Sequence, residues 1–198
     1  MFVTFEGLDG SGKSTQAELL AEELRGRGRE VVLTREPGGT ELGERVRELL
    51  LAGGEVSPWA EAALFAAARA ELVERVIRPA LERGAAVVCD RYLDSSLAYQ
   101  GIARGLGVDR VPELNRPAIA DLLPDRTFLL LVDADVAGER SGDQPDRIER
   151  EGIDFRARVE AAYEELAQRF ADRIVAVDGS RPREEIAAHV AEQVRELS

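Results

Sequence analysis

The chain of 198 residues is long enough for one domain with a full hydrophobic core and too short for two ordinary domains. Its 44% apolar and 32% charged content, with no low-complexity tract, excludes a disordered or fibrous chain. A net charge of −12 argues against contact with a nucleic-acid backbone, which leaves small anionic ligands held by local basic clusters.

The amino terminus, Met1 to Glu6, has neither a basic leader nor a signal-length apolar run, and no stretch approaches about 18 apolar residues, so a cytoplasmic protein without membrane attachment is expected. Residues 2 to 6 read as a first strand ending in a glycine-rich loop. Ala17, Leu20, Ala21 and Leu24 then repeat with helical spacing until Gly26 and Gly28. Val31 to Thr34 reads as a second strand, and Pro37-Gly38-Gly39 forces a turn before a helix over Glu41 to Leu51. Ser57-Pro58 is an N-cap with proline in the first turn of a long Ala-rich helix towards Arg83, with a kink expected at Pro79.

Ala86 to Cys89 is a third strand, apolar throughout as a strand covered on both faces would be, and helical patterns follow to about Leu123. Phe128 to Val132 and Ile174 to Val177 are the fourth and fifth strands. Between them Phe155, Val159, Ala162, Tyr163, Leu166 and Phe170 mark one face of a helix; Ile186, Val190, Val194 and Leu197 mark the last helix. The polar segment Ser141 to Gly152, with Gly142 and Pro145, interrupts the alternation and reads as a mobile surface loop. The pattern predicts an α/β fold over residues 1–198, a five-stranded parallel sheet flanked by helices with right-handed crossovers. The single cysteine, Cys89, reads as a buried structural thiol, and His189, with no Cys or second His near it, as a surface residue.

Gly7-Leu8-Asp9-Gly10-Ser11-Gly12-Lys13-Ser14 matches GxxxxGK[ST], between a strand and a helix where the mechanism needs it. With Thr15 behind it, this loop is expected to hold ATP. Backbone N–H groups cradle the phosphates, Lys13 reaches the β- and γ-phosphates, and the Ser14 hydroxyl ligates Mg²⁺. Of 26 lysines and arginines, Lys13 is the only lysine, so the position requires a compact ammonium. Val87-Val88-Cys89-Asp90 ends a strand in an acid; beside such a loop Asp90 is expected to help hold the metal through water, although many strands end in Asp. Arg91 follows at the carboxyl end of the sheet, where ligands bind in open α/β folds. The DxxG and NKxD segments of a GTPase switch are missing from their expected places. A small-molecule kinase remains, with a nucleotide-binding regulator as the alternative of another class.

Four segments, Phe5 to Lys13, Thr34-Arg35-Glu36-Pro37-Gly38-Gly39-Thr40, Asp90-Arg91-Tyr92 with Ser95 to Gly101, and Asp146-Arg147-Ile148-Glu149, resemble the thymidylate kinase family in the same order and over essentially the whole chain. The resemblance implies a P-loop NTPase fold that phosphorylates dTMP to dTDP with Mg-ATP by in-line transfer in dTTP biosynthesis, as a homodimer, with Mg²⁺ as cofactor. Phe65 then stacks on thymine, although on its own it reads equally as core, and Arg69 and Gln100 hydrogen-bond the base edge. Glu36, Ser96 and Tyr99 shape the sugar and base pocket. Arg35, Arg47 and Arg91 are candidates for the acceptor phosphate, Arg47 also being readable as a solvated helix-face charge.

In this family the arginine that assists transfer comes from the P-loop or from a lid. Gly10 and Ser11 bring no charge, so the lid must supply it; Arg140 and Arg147 flank the loop at about 141–152, with Arg147 the first choice and Arg140 packing along the adenine. The catalytic set is therefore Asp9, Lys13, Arg91, Arg140 and Arg147, with Asp9 positioning the acceptor phosphate or a metal-bound water. The segment Asp178-Gly179-Ser180 resembles the one that lies against adenine. The Ala-rich helix from Pro58 onward is a candidate dimer contact.

Overall fold

Five short runs form one parallel sheet: β1 (Phe2–Gly7), β2 (Val31–Arg35), β3 (Ala86–Asp90), β4 (Arg126–Leu131) and β5 (Ile174–Asp178), hydrogen-bonded in the order β2-β3-β1-β4-β5. The computed structural model describes residues 1–140 and 146–197. All five expected strands are present; β4 starts two residues before Phe128 because Arg126 and Thr127 already pair with Val3 and Thr4. Between the strands run α1 (Lys13–Gly26), α2 (Glu41–Leu51), α3 (Pro58–Leu72), α4 (Arg78–Glu82), α5 (Leu93–Ser96), α6 (Arg110–Ile119), α7 (Ala134–Arg140), α8 (Ile153–Arg169) and α9 (Arg183–Arg195).

The period of two along β1 divides the core. Val3 and Phe5 pack with Leu20 and Leu24 of α1 and Val190 and Val194 of α9, and the Phe5 and Phe128 rings stack at 5.5 Å between centroids. On the other face Phe2 joins Leu72, Val87, Leu129, Val159 and Leu166, packing edge-on against Tyr92 at 5.0 Å. This second face also carries the polar residues Thr4 and Glu6. Thr4 Oγ1 lies 2.8 Å from Thr127 Oγ1, and the buried Asp94 beside Thr127 is held by Arg173 at 2.6 and 2.7 Å. Cys89 is buried as expected, its Sγ donating to the Arg91 carbonyl at 3.0 Å, whereas His189 is half-buried on α9.

Proline shapes the long helix by changing its type. Pro79 has no N–H for the α ladder, and the five residues Val73–Ile77 before α4 widen into a π turn in which Arg78 N–H reaches the Val73 carbonyl. Ser57 stands at the N-cap of α3, yet its side chain makes no capping hydrogen bond; Thr40 does cap α2, its Oγ1 accepting from Gly43 N at 2.9 Å. A second π segment, Leu97–Ala103, follows α5. Of the expected lid, residues 141–145 lie outside the described residues, and the remainder is a turn and a 3-10 turn at Glu149–Glu151.

The sheet order places β1 between β3 and β4, so the loops leaving the carboxyl ends of β1 and β3 face one another across a crevice. The turn out of β1 needs glycine at its first residue. Gly7 has φ +137°, and a Cβ there would lie 2.5 Å from the Leu130 carbonyl oxygen, which belongs to β4 and cannot withdraw. Gly7→Ala should destabilise the protein by about 2–4 kcal/mol, measured by urea unfolding. Wild-type stability in that variant would show that the β1–β4 contact yields.

Candidate functional site

The P-loop is built from backbone. Ser11 N–H bonds the Leu8 carbonyl at 3.1 Å, Gly10 and Gly12 take left-handed φ of 83° and 94°, and α1 then starts at Lys13 with no acid in its first turn. The amides and the positive end of the α1 dipole therefore face a cavity of about 500 Å³, lined by the loop and by Arg35, Glu36, Arg47, Asp90, Arg91 and Arg140. Lys13 is buried, its Nζ donating to the Leu8 carbonyl at 2.7 Å and lying 3.7 Å from Asp9 Oδ1. Burial, followed by the charge of Arg91, pulls its pKa below the ordinary lysine value.

Ser14 Oγ donates to Asp90 Oδ2 at 2.5 Å, while Asp90 Oδ1 is buried without a hydrogen-bond partner. A hydroxyl and one carboxylate with an unsatisfied oxygen, beside a phosphate cradle, fit Mg²⁺, which keeps several waters and takes few protein ligands. No cluster of three or more His, Cys, Asp or Glu competes for a metal among the described residues.

Arg91 sits at the meeting point of these parts. Its backbone is left-handed, φ 70°, a conformation that costs a non-glycine residue about 1–2 kcal/mol. The guanidinium is fixed in return: Nη2 bonds Asp9 Oδ1 at 2.6 Å, Nη1 bonds Ser95 Oγ at 3.0 Å and Tyr163 Oη at 3.1 Å, and the Tyr99 ring lies 5.4 Å away. Burial raises the Asp9 pKa, but Arg91 and Lys13 together outweigh it and hold the carboxyl well below the usual carboxylate range. Arg35 and Arg47 complete the basic wall, Arg35 tied to Glu44 at 3.1 Å and Arg47 Nη1 to the Pro37 carbonyl at 3.1 Å. Burial, with Arg35 next, lowers the Arg47 pKa, so an anion in the cavity would relieve these cations.

A second cavity adjoins the first through Asp9, Glu36, Arg47 and Arg91, and its wall carries Phe65, Ser96, Tyr99 and Gln100. The structure thus brings together every expected acceptor-site residue except Arg69. Arg69 is buried behind that wall, 1% exposed, with Nε bonding Glu36 at 2.8 Å, Nη1 bonding Asn115, and Nη2 bonding the Tyr92 carbonyl at 3.0 Å and Ser96 Oγ at 3.1 Å. With four of its donors used, it braces the pocket residues from behind. Phe65 lines the cavity and also packs on the core.

The two lid arginines separate. Arg140 lines the phosphate cavity and donates to the Gly179 carbonyl at 3.3 Å, in the segment expected against adenine. Arg147, the sequence's first choice, is instead held away from the P-loop cavity by the Leu50 carbonyl at 2.7 Å and Glu61 at 2.5 Å. A buried carboxylate and a carbonyl together hold this guanidinium, and nothing in the local sequence displays those partners.

Several residues of the site were given no role from the sequence, among them Asp146, Ile148, Glu6 and Glu61. Asp146 and Ile148 line the second cavity, and Glu6 and Glu61 are fully buried acids. The available signal was an acid standing among the apolar residues of a strand or an Ala-rich helix. Glu6 accepts from Tyr92 N at 2.8 Å, Ser95 N at 3.2 Å, Ser95 Oγ at 2.5 Å and Tyr163 Oη at 2.9 Å, so it fixes the two hydroxyls that hold Arg91.

Comparison with known proteins agrees with this geometry. The family profile described as thymidylate kinase matches residues 5–190. Thymidylate kinase of Pelotomaculum thermopropionicum is 49% identical over 203 residues, covering 99% of this chain and 93% of that protein. That of Leifsonia xyli subsp. xyli is 54% identical over 194 residues, covering 96% and 92%. The crystal structure of thymidylate kinase from Ehrlichia chaffeensis superposes with a TM-score of 0.81 at 35% identity over 98% of both chains.

Burial, and then the charge of Asp94, push the Glu6 carboxyl from 4.5 up to about 7 against the pull of Arg91. A carboxyl whose folded pKa is raised gives stability that is complete below its unfolded pKa and is lost as pH rises through the folded one. Wild type should therefore lose up to about 3 kcal/mol relative to Glu6→Gln between about pH 4.5 and pH 7, read from urea unfolding of both proteins. Parallel stability profiles would show that Glu6 titrates as an ordinary glutamate.

Proposed function

The chain belongs to the thymidylate kinase family and phosphorylates dTMP, and we propose that it does so with Mg-ATP as donor, by in-line transfer between the two adjoining cavities. The observation that carries this reading is the shared border of those cavities, where Arg91 and Asp9 stand between the P-loop and the wall formed by Phe65, Ser96, Tyr99 and Gln100.

The acceptor phosphate has a second pKa of about 6, so it is already ionised near neutral pH and no general base is needed. One of its oxygens forms the new bond to the γ-phosphorus as the bond to the β–γ bridging oxygen breaks, giving dTDP and ADP. Arg91, with its guanidinium pre-set by Asp9, Ser95 and Tyr163, receives the acceptor phosphate together with Arg35 and Arg47, and Lys13 neutralises charge on the donor. Ser14 and Asp90 are the residues that would hold Mg²⁺, which supplies further neutralisation of the phosphates.

Thymine stacks on Phe65 and meets Gln100. The free Oε1 of Glu36, buried and without a partner, accepts from a sugar hydroxyl; Ser96 and Tyr99 complete this end. Arg69 acts here through Glu36 and Ser96. Exposed Leu42, Leu49 and Trp59 on α2 and α3 support a homodimer closed over that face. No helix among the described residues is long and apolar enough to cross a membrane. In this reading the enzyme works in the cytoplasm, in dTTP biosynthesis.

Two measurements test this reading. In ADP-release assays dTMP should be the preferred acceptor, dUMP weaker by the roughly 10–200-fold that one methyl commands, and purine monophosphates poor. Equal rates with AMP or GMP would overturn the acceptor assignment. For the lid, Arg140→Ala should lower single-turnover transfer on the order of 10³-fold with little effect on dTMP binding, and Arg147→Ala should do less. The reverse ranking would mean that Arg147 leaves Glu61 and enters the phosphate cavity during catalysis.

A further inference from the structure

Glu61, on α3, is a fully buried acid that receives three side chains from three parts of the chain. Arg104 Nε donates to Oε1 at 2.6 Å, Arg147 Nη2 to Oε2 at 2.5 Å, and Gln100 Nε2 to Oε1 at 2.8 Å. Arg104 is itself anchored on Glu151 at 2.8 Å and lies over the Phe155 ring at 4.8 Å, and Arg147 is anchored on the Leu50 carbonyl. Two fixed guanidiniums therefore hold the carboxylate in place.

A carboxylate so paired offers only lone pairs, so the end of the Gln100 side chain that meets it must be the NH₂. The carbonyl Oε1 is thereby turned the other way. No donor of the described residues takes that oxygen, and Gln100 lines the second cavity beside Phe65, Ser96 and Tyr99.

We propose that Glu61 is a specificity-positioning residue: by accepting the Gln100 N–H it presents the Gln100 carbonyl to the base, so that the site selects a ring N–H, as in thymine and uracil, over a ring acceptor nitrogen, as in cytosine. The inference rests on the reading that this cavity holds the dTMP base. A free glutamine amide can rotate and serve either edge; one pinned to a carboxylate cannot. A cytosine ring nitrogen would face the carbonyl lone pairs with no proton between them, in a pocket where neither group can turn to water.

The test is kcat/KM with dTMP, dUMP and the monophosphate of 5-methyldeoxycytidine, which keeps the thymine methyl and changes only the hydrogen-bonding edge. Wild type should favour dTMP over the methylcytosine nucleotide, and equal use of the two would overturn the proposal. Glu61→Leu removes the acceptor. Glu61→Asp keeps a negative charge beside the two arginines but withdraws the carboxylate by one methylene from Gln100. In both variants the preference for dTMP over the methylcytosine nucleotide should fall at least about tenfold, the scale of one mispaired hydrogen bond, while dTMP over dUMP stays within about twofold. Damage to the fold would lower all three acceptors together. If Glu61→Leu does not fold, Glu61→Asp decides alone, and an unchanged preference in the folded variant overturns the proposal. Gln100→Ala checks the premise separately: it should also lose the preference, and if it does not, the base reading fails and the proposal with it.

Discussion

The Arg91–Asp9 ion pair stands where the P-loop, the end of β3 and α8 meet, and the functional geometry hangs on it. Arg91 follows Asp90 with a left-handed backbone, an unfavourable state that persists because the guanidinium is bonded by Asp9, Ser95 and Tyr163 and sits beside the Tyr99 ring. Ser95 and Tyr163 are fixed in turn by Glu6, whose carboxyl accepts from both of their hydroxyls and from two backbone amides. The strand that carries the phosphate loop thus also sets the side chain on the opposite wall.

Burying so many charges is costly unless each is matched, and the second cavity is backed by a set of matched pairs. Glu6 lies near Arg91, Glu36 holds Arg69, Glu61 holds Arg104 and Arg147, and Asp94 holds Arg173. Removing one partner would strand the other, so these positions constrain one another across α3, the Leu97–Ala103 π segment and α8. The phosphate cavity differs. There Arg35, Arg47, Arg91 and Arg140 line one space with Lys13, and the burial of Lys13 and Arg47 together with their cationic neighbours lowers their pKa values. A chain of net charge −12 has concentrated these cations in one cleft, which restricts its attraction for an anion to that cleft.

The two π segments mark where the helical ladder gives way to function or to proline. The first opens before Pro79, for want of an N–H. The second, Leu97–Ala103, carries Tyr99 and Gln100 onto the wall of the second cavity, with Arg104 at its end reaching Glu61. An extra residue in a helical turn shifts the phase of the side chains that follow, and here the shifted phase lets Gln100 meet both Glu61 and the cavity.

Much of the molecule was legible in the sequence because it rests on local rules. Strand and helix positions follow from periods of two and 3.6, the P-loop from glycines that must adopt positive φ, and the Ser14–Asp90 pair from an acid at the end of a strand beside that loop. The family resemblance added the acceptor side, and Phe65, Ser96, Tyr99 and Gln100 do share one wall. What only the tertiary structure decided is the direction in which long charged side chains point. Arg69 turns inward to Glu36 and Asn115, Arg147 turns to Glu61, and Arg140 reaches the phosphate cavity. An arginine can span several residues' worth of space, so its place depends on which carboxylate or carbonyl is nearest in three dimensions. Those partners, Glu6 and Glu61 among them, are separated from their guanidiniums and hydroxyls by tens of residues along the chain, a distance over which periodicity carries no information.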